Sequence, residues 1–498
     1  MSIRHFDLGR LFALLGLSLA PALAVHAQVP QSEYAQRRAL VTSRLDDGVL
    51  VAFGADEPRL DYLTFVQDSR FMYLTGLGEP SAALVVVKRG GDIRATLFVQ
   101  RRVPASEAWS GARLGTDGAT RLTGLPARAI DSLPFLIDSL ARAGLAFHLV
   151  SAPGGESGSS PNATRLRAMA GGGGALRMED ASAIVDQARG RKSSAELDLI
   201  RKAAAITVAA HSEAMRAIEP GMNEFELQAL IEYTFRRNGA DRPAFATIVG
   251  SGPNATTLHY NADDRFMTAG DVVVMDIGAS YRGYAADVTR TVPVSGTFTA
   301  EQRAIYQIVR DAQAAAERQA KPGAAARQMN DSASAVLAAG LARLGLIESA
   351  GATYDCGTGK EPAQCPQFRL FYFHGLGHGI GLDVHDPEQF YFTRTLAPGS
   401  VFTIEPGLYV RADVLDHLPD TPRNRALSAK LRPLIERYKH IGVRIEDDYI
   451  ITERGAEWIS RAPRELAEVE ALMRQPWTGP APRDPTIVEW YRETMPQP

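Results

Sequence analysis

Two β-rich runs joined by a glycine-containing turn, each carrying one aspartate, constrain the fold of this chain more than any other feature. They occupy residues 271–292, DVVVMDIGASYRGYAADVTRTV, and such runs around a turn predict a β-hairpin. A turn centred between Tyr281 and Arg282 places Asp276 opposite Asp287, with Cβ atoms only about 4.5–5.5 Å apart. Two carboxylates so close repel each other unless a cation lies between them. A turn-stabilising aspartate and an unrelated one remain the alternative.

A glycine-rich segment at residues 373–386, FHGLGHGIGLDVHD, contains three of the ten histidines of the chain, His374, His378 and His385. Its glycines at every second position let the backbone pass close to other groups and argue against a regular helix. Imidazole is a common ligand of zinc, manganese and iron and a common general base. The segment therefore predicts a metal or catalytic site, with a purely structural histidine cluster as the alternative.

Two glutamates occur in or at the end of apolar, strand-like runs: Glu405 in TIEPG and Glu446 in VRIEDD. With a period of two, Arg444, Glu446 and Asp448 share one face of a predicted strand. Buried glutamates need partners, although either residue alone is equally compatible with an exposed strand charge. Together, two aspartates, a histidine and two glutamates form a largely oxygen ligand set that suits two divalent ions. Paired ions activate water and polarise a carbonyl group.

The composition fits a globular protein and excludes several functional classes. Of 498 residues, 45% are hydrophobic and 22% are charged, and 54 Lys+Arg against 57 Asp+Glu give a formal charge of −3. This balance does not favour nucleic acid or an anionic membrane surface as a partner. Two cysteines are too few for a disulfide scaffold or a cysteine-based zinc cluster.

The N-terminal residues predict export. Residues 11–24, LFALLGLSLAPALA, follow a short basic start and form an apolar core too short to span a bilayer comfortably. Small residues precede a cut after Ala27, which predicts a mature N-terminus at Gln28 and a periplasmic or secreted protein without stable membrane insertion. An uncleaved membrane anchor is the alternative. In such a compartment we expect Cys356 and Cys365 to form a disulfide, with two free thiols as the alternative.

The order of predicted elements indicates an α/β (α+β) protein with two domains. Strands are expected at residues 84–87 and 95–99 and a helix at residues 132–143. Ser193, followed by Glu196, has the pattern of a capping box that begins a long helix. The expected organisation is a signal peptide at residues 1–27, an N-terminal mixed α/β domain at 28–185, a catalytic domain at 190–475 and a C-terminal tail at 476–498.

In order and spacing, these motifs resemble the pita-bread metallopeptidases, the family of methionine aminopeptidase, prolidase and aminopeptidase P. The segments HGLGHGIGLDVHD, EPGLY and GVRIEDD match the later family motifs. IVGSGPNATTLHY is similar to the segment that carries a substrate-contacting histidine in aminopeptidase P, here His259. DSRFMYLTGLGEP and SEAWSGARLG resemble aminopeptidase P more than prolidase. The resemblance implies that Trp109 reaches the active site of a neighbouring subunit, while a role in the core of its own domain is the alternative.

The resemblance also implies roles for the site residues. The implied metal ligands are Asp276, Asp287, His378, Glu405 and Glu446. Asp287 and Glu446 would bridge two divalent ions, with Mn²⁺ leading and Zn²⁺ or Co²⁺ open. Glu405 would also pass a proton to the leaving nitrogen. His374 or His385 would hydrogen-bond the oxyanion, and Arg444 would hold a carboxylate and contribute to substrate binding.

The implied fold of the catalytic domain is a curved antiparallel sheet backed by helices, in two related halves. The implied function is that of a homo-oligomeric Xaa-Pro aminopeptidase, a dimer or tetramer, acting on peptides with proline in the second position. A prolidase that cuts only dipeptides remains open, because the 34 residues between Tyr409 and Arg444 exceed the compact aminopeptidase P pattern. A second insert lies near residues 356–365. A catalytically inactive binding protein of the same fold is a remote alternative, since such proteins usually lose ligands.

Overall fold

The computed structural model describes residues 29–60, 63–150, 160–171, 176–357, 361, 363–387 and 395–480. The predicted signal peptide and residues 481–498 of the predicted C-terminal tail lie outside these residues. The helices are α1 Gln31–Ser43, α2 Ser69–Thr75, α3 Pro104–Ser110, α4 Gly115–Thr123, α5 Leu133–Arg142, α6 Pro161–Met169, α7 Ser182–Arg189, α8 Ser194–Ala217, α9 Glu224–Arg237, α10 Ala300–Glu317, α11 Arg327–Leu344, α12 Pro422–Tyr438 and α13 Leu466–Met473. The strands are β1 Gly48–Phe53, β2 Ala83–Arg89, β3 Asp92–Val99, β4 Ala127–Ala129, β5 Phe147–Val150, β6 Met178–Asp180, β7 Arg242–Pro243, β8 Ile248–Ser251, β9 Val272–Ile277, β10 Ala279–Tyr281, β11 Tyr284–Ala285, β12 Val288–Pro293, β13 Thr353–Asp355, β14 Gln364–Pro366, β15 Val401–Ile404, β16 Gly407–Val410, β17 Ile441–Arg444, β18 Asp447–Thr452 and β19 Gly455–Trp458.

The N-terminal part of the chain forms a mixed sheet in the order β4-β3-β2-β1-β5-β6. Strands β1, β2 and β3 pair antiparallel, whereas β1 with β5, β5 with β6 and β3 with β4 pair parallel. Central strand β1 is buried on both faces: Leu50 and Ala52 join one apolar core, and Val49 and Val51 join another together with Ile137 of α5. This explains why β1 is continuously apolar rather than alternating. The mixed α/β layer and the strands at 84–87 and 95–99 are confirmed.

The long helix α8 begins as predicted. The Ser193 side chain accepts a hydrogen bond from the backbone N–H of Glu196, and the Glu196 carboxylate accepts one from the backbone N–H of Ser193, which completes the capping box. Helix α8 packs against β10, β11 and β12, and α9 packs against β7 and β8. These two helices back the half of the C-terminal part of the chain that carries Asp276 and Asp287.

The second half is built from β15, β18 and β19, and from the pair β16 and β17. Helix α10 packs on β15, β16 and β17, and α11 packs on α10. The two halves meet where β17 lies against β9 and β12. The aspartates therefore come from one half and His378 and the glutamates from the other, which agrees with the predicted pita-bread arrangement. Among the helices that the structure describes, none has the length and apolar character needed to cross a bilayer.

The hairpin forms, but its predicted register is wrong by two residues. Tyr281 pairs with Tyr284, and Asp276 pairs with Thr289 rather than with Asp287. The turn residues are Arg282 and its neighbouring glycine, with φ of 53° and 82°, so the turn centre lies one residue later than predicted. Positive φ at both central residues is what a tight two-residue hairpin turn requires. Because a shift of two preserves the face of the sheet, both aspartates still point to the same side.

The single strand predicted for residues 444–448 is also wrong. β17 ends at Arg444 and β18 begins at Asp447, and they pair with different strands. At the break, the backbone N–H of Glu446 donates to the carbonyl of Thr289, 3.1 Å away. The fully buried Arg290 donates to the carbonyl of Glu446 at 2.6 Å. The strand is therefore interrupted at residues 445 and 446, where the backbone of Glu446 hydrogen-bonds to β12 instead.

The two inserted segments pack on each other as one unit. Cys356 and Cys365 form the predicted disulfide, which links the hairpin of β13 and β14. Helix α12 forms half of the long insertion after Tyr409. Asp355 accepts a hydrogen bond from Thr421 at 2.6 Å, and the Asn424 amide donates to the Asp355 carbonyl at 2.8 Å. We call this unit, residues 353–366 together with 421–438, the disulfide appendage.

Candidate metal centre

A cavity of about 570 Å³ is lined by residues from both halves of the C-terminal part of the chain. Its lining includes every predicted site residue except Trp109. These are His259, Asp276, Asp287, His374, His378, His385, Glu405, Arg444 and Glu446. Residues separated by up to 187 positions in the sequence thus converge on one space.

Three of the predicted ligands form a compact cluster. Asp287, His378 and Glu446 each offer one ligand atom, and these three atoms lie within 4.8 Å of one another. All three side chains are buried. His378 Nε2 lies 3.4 Å from Asp287 Oδ2 and 3.8 Å from Glu446 Oε1. Glu405 Oε1 is 3.6 Å from the same nitrogen. Among the described residues, this is the group whose donors converge closely enough to hold an ion.

A backbone carbonyl fixes the form in which His378 can bind a metal. His378 Nδ1 lies 3.1 Å from the carbonyl oxygen of Gly379, which can only accept, so Nδ1 carries the hydrogen. Burial, and then the neighbouring His385, lower the pKa of His378 to about 4, and the ring is neutral at pH 7. Its Nε2 lone pair therefore faces Asp287, Glu405 and Glu446. This is the tautomer that a histidine ligand needs.

The carboxylates of this cavity have properties that favour cation binding. Buried oxygens of Asp276, Asp287, Glu446 and Asp448 have no hydrogen-bond partner among the described residues. Burial, reinforced by Glu446 and Asp276, raises the pKa of Asp287 well above its ordinary value. Burial, and then Asp276, raise that of Glu446 to about 8. Buried acids that repel one another fit divalent ions, which replace lost hydration with direct coordination.

Asp276 and Glu405 line the same cavity as this cluster. Asp276 Oδ2 pairs with Arg444 Nη2 at 2.6 Å, which leaves its buried Oδ1 without a partner among the described residues. Glu405 Oε2 lies 3.8 Å from Nδ1 of His374. Burial, and then Glu446, raise the pKa of Glu405 well above its usual range. The geometry thus brings all five predicted ligands to one centre.

Tyr409 links two of the predicted site residues, a role that sequence analysis missed although EPGLY contains it. Its hydroxyl lies 2.9 Å from Nε2 of His374 and accepts from Nη1 of Arg444 at 3.0 Å. His374 Nδ1 lies 2.7 Å from the carbonyl of Gly375, so it carries the hydrogen and Nε2 accepts from Tyr409. Burial, and then Arg444, lower the pKa of His374 to about 3, so the ring is neutral.

Arg444 is buried and donates hydrogen bonds to several side chains of the site. Besides Asp276 and Tyr409, it donates through Nε to the hydroxyl of Thr289 at 3.2 Å. The same hydroxyl donates to Glu446 Oε2 at 2.6 Å. Sequence analysis also missed Thr289, which pairs with Asp276 in the sheet. It lies two residues after Asp287 and therefore on the same strand face, which is the signal that could have identified it. The predicted role of Arg444 in holding a carboxylate thus has a geometric basis.

His259 lies on an exposed loop at the edge of the cavity. The hydroxyl of the next residue, Tyr260, lies 3.1 Å from the carboxylate of Glu224 and 2.9 Å from that of Asp264, and its one hydrogen is shared between these two acceptors. Glu224 is fully buried at the start of α9 and also accepts backbone N–H bonds from Ser251 at 2.6 Å and Arg265 at 2.9 Å. This glutamate, which sequence analysis did not identify, ties both ends of the loop that carries His259.

His385 and Trp109 occupy contrasting positions. The His385 ring packs on that of His378, with ring centroids 4.0 Å apart. Trp109 is 94% exposed on α3, a helix with no buried residue, and it does not line the cavity of its own chain. The alternative that Trp109 belongs to the core of its domain is therefore wrong.

Comparisons with known families match both parts of the chain. The model of metallopeptidase family M24 matches residues 198–453, and that of the aminopeptidase P N-terminal domain matches residues 34–145. A Xaa-Pro aminopeptidase of Haemophilus influenzae is 34% identical, over 91% of this chain and 99% of its own length. A Xaa-Pro aminopeptidase of Escherichia coli is 33% identical, over 90% of this chain and 98% of its own length.

Solved structures show the same fold. The aminopeptidase P of Escherichia coli, zinc-substituted and in complex with product, has a TM-score of 0.75 and 32% identity, covering 90% of this chain and 99% of that one. An aminopeptidase of Pseudomonas aeruginosa has a TM-score of 0.74 and 31% identity, covering 90% of this chain and 98% of that one.

Proposed function

This chain belongs to metallopeptidase family M24, and from that membership we propose that it is an exported Xaa-Pro aminopeptidase that uses two divalent metal ions. Relatives named Xaa-Pro aminopeptidase align along nearly their whole length with it. The enzyme would hydrolyse the bond between the first residue of a peptide and a proline in the second position. Its family membership makes it a metallo-aminopeptidase. Its specificity for proline in the second position and its use of two ions are what we propose.

The observation that carries the proposal is the convergence on His378. Its Nε2 lone pair faces three carboxylates, and its tautomer is set by Gly379. The residues that would hold two ions are Asp276, Asp287, His378, Glu405 and Glu446. Bound divalent ions would activate water and polarise the scissile carbonyl. Mn²⁺ suits the predominance of oxygen ligands, with Zn²⁺ and Co²⁺ also compatible.

The surrounding side chains suit hydrolysis of a peptide bond. Glu405, between His374 and His378, would transfer a proton to the nitrogen of the leaving proline. Because the one N–H of His374 already donates to Gly375, we assign the oxyanion hydrogen bond to His385 and the orientation of substrate to His374 and His259. A preorganised donor of this kind stabilises the charge that develops in the transition state.

Substrate length distinguishes the proposed activity from that of a prolidase. We expect a Xaa-Pro-Xaa tripeptide to be cleaved with a higher kcat/KM than the matching Xaa-Pro dipeptide. We also expect N-acetylation of the tripeptide to abolish cleavage, because the acidic metal site binds a free amine. The measurement is release of the first residue from the three matched peptides. If the enzyme cleaved only dipeptides, the proposed aminopeptidase activity would be wrong and the enzyme would be a prolidase.

The exposed Trp109 supports a homo-oligomer, a dimer or tetramer, in which it helps to wall the cleft of a neighbouring subunit. A tryptophan so exposed offers a large, rigid apolar face that a neighbouring subunit could cover. Trp109→Ala should raise KM for longer peptides more than it lowers kcat. Trp477→Ala is the control, because this second tryptophan is 38% exposed and does not line the cavity. Equal kinetics for Trp109→Ala and wild type would contradict this role.

Export and periplasmic or secreted localisation are supported by the disulfide between Cys356 and Cys365, which suits an oxidising compartment. The sequence favours cleavage after Ala27. Intact mass of protein purified from the native host should correspond to a chain that begins at Gln28. A membrane-bound chain that retains residues 1–27 would contradict export with cleavage.

A further inference from the structure

A buried carboxylate lies at the end of the glycine-rich histidine segment, directly after His385. Asp386 is only 2% exposed. It accepts a hydrogen bond from Nη2 of Arg189 and another from Nζ of Lys192, at 2.6 Å for the lysine. Arg189 ends α7 and Lys192 precedes α8, so both cations come from the segment that joins the two parts of the chain. We call these three residues the linker clamp.

The charges of the linker clamp depend on one another. Both cationic side chains are 4% exposed. Arg189 has two further acidic neighbours, Asp383 at 2.6 Å and Asp186 at 3.6 Å. For Lys192, Asp386 is the one carboxylate at ion-pair distance among the residues that the structure describes. A buried cation without its counter-charge is strongly unfavourable, so Asp386 is the acid that allows the linker to remain buried here.

Asp386 also fixes the backbone that carries His385. Its N–H donates to the carbonyl of Gly379 at 2.9 Å, and its Oδ1 accepts from the N–H of Asp383 at 3.3 Å. A Cβ at Gly381 would lie 2.6 Å from the Asp386 carboxylate, so only glycine permits this close approach. The segment 379–386 is thereby closed on itself, with the ring of His385 packed on that of His378.

We propose that Asp386, held by Arg189 and Lys192, is a positioning residue for His385. It does not line the cavity, and among the described residues its carboxylate bonds Arg189, Lys192 and the backbone of Asp383 rather than a proposed metal ligand. It acts by fixing the loop from which His385 reaches the oxyanion. This inference rests on the role proposed above for His385. It implies that the linker between the two parts of the chain contributes to turnover and not only to stability.

The test is a double-mutant cycle on the metal-loaded, full-length enzyme with a Xaa-Pro-Xaa substrate. Asp386→Asn should lower kcat about 10- to 100-fold, as is usual when a supporting hydrogen-bond partner is lost, with metal content unchanged. In a His385→Ala background, the same substitution should lower kcat by less than about twofold, because its effect acts through His385. Lys192→Met, which leaves Arg189 paired with Asp386, should give a smaller loss, and Lys192→Arg should restore most of it.

Arg37→Met is the matched control. Arg37 is a buried cation that pairs with Glu196 of α8 at 3.2 Å and does not contact the 379–386 segment. The Arg37→Met substitution should lower the melting temperature of the enzyme without lowering its kcat. An equal loss of kcat from Asp386→Asn with and without His385, or an equal loss from Arg37→Met, would overturn the positioning role. A wild-type enzyme inactive on the tripeptide would instead overturn the proposed function.

Discussion

At His378, one backbone carbonyl decides which ring nitrogen can bind an ion. Family resemblance implied that this residue is a ligand, but the choice of nitrogen depends on Gly379, whose carbonyl holds the hydrogen on Nδ1. His374 is held the same way by Gly375, and its Nε2 is then occupied by Tyr409. Two histidines with the same tautomer therefore differ in chemistry because different groups face Nε2: Tyr409 at His374 and three carboxylates at His378.

The difference between ligands and flanking histidines predicts two kinds of variant. Asp287→Asn and Glu446→Gln should abolish activity and release at least one ion, because each carboxylate is proposed to contact both. His374→Ala and His385→Ala should lower kcat while metal content stays near that of wild type. Metal analysis of purified variants, together with tripeptide hydrolysis, measures both effects. Full activity in Glu446→Gln, or metal loss in both histidine variants, would contradict this assignment.

Among the elements, period-two reasoning identified the correct faces but not the correct register. It placed Asp276 and Asp287 on one face, yet the strained turn at Arg282 shifts the pairing by two residues. It also treated residues 444–448 as one strand, whereas long-range bonds from Glu446 to Thr289 divide it. Local patterns determine which side a residue faces, but turn conformation and distant partners decide where strands begin, end and pair.

The loop that carries His259 provides an element-scale prediction. Tyr260→Phe removes the hydroxyl that bonds the carboxylates of Glu224 and Asp264. It should raise KM several-fold, with a smaller change in kcat, because His259 is proposed to contact substrate and not the metals. Tyr233→Phe on α9, which removes an exposed hydroxyl bonded to Arg237, is the control. The measurement is steady-state kinetics with a tripeptide; identical KM values for the two variants would remove the loop from substrate binding.

The disulfide appendage should contribute to stability without affecting catalysis. Closing a loop of about ten residues predicts about 2.7 kcal/mol from chain entropy alone. Cys356→Ser/Cys365→Ser should therefore lower the free energy of unfolding by about that amount and leave kcat/KM for the tripeptide unchanged. Denaturant unfolding and peptide hydrolysis check the two parts. A large loss of kcat/KM in a folded variant would show that the appendage reaches the cleft.

On the scale of the whole molecule, the sequence indicated the two-domain plan and the residues that meet at the metal centre, because family motifs carry both. It did not indicate that Asp386 pairs with Lys192, 194 positions earlier, or that Glu224 ties the His259 loop. These contacts join buried charges that look ordinary in sequence. Only the packed fold shows which carboxylate lies beside which cation.

The acidic centre predicts how the metal-free protein responds to pH. Burial, and then Asp276, raise the pKa of Glu446 from 4.5 to about 8, so the folded metal-free chain keeps a proton that the unfolded chain releases. That contribution to stability is fully present below about pH 4.5 and is lost as pH rises toward 8. Thermal unfolding after chelator treatment should show this decline, and Glu446→Gln should reduce it. Metal-loaded protein should not show it, because bound ions stabilise the ionised carboxylates.

Titration of metal-free enzyme with Mn²⁺ tests the central claim most directly, namely that this is a Xaa-Pro aminopeptidase that works with two ions. The chain is stripped with chelator, the ion is added in known ratios, and release of the first residue from a Xaa-Pro-Xaa peptide is followed. We expect no hydrolysis without metal and a rise to a plateau at two ions per chain. Full activity at one ion per chain, or hydrolysis that persists in excess chelator, would contradict it.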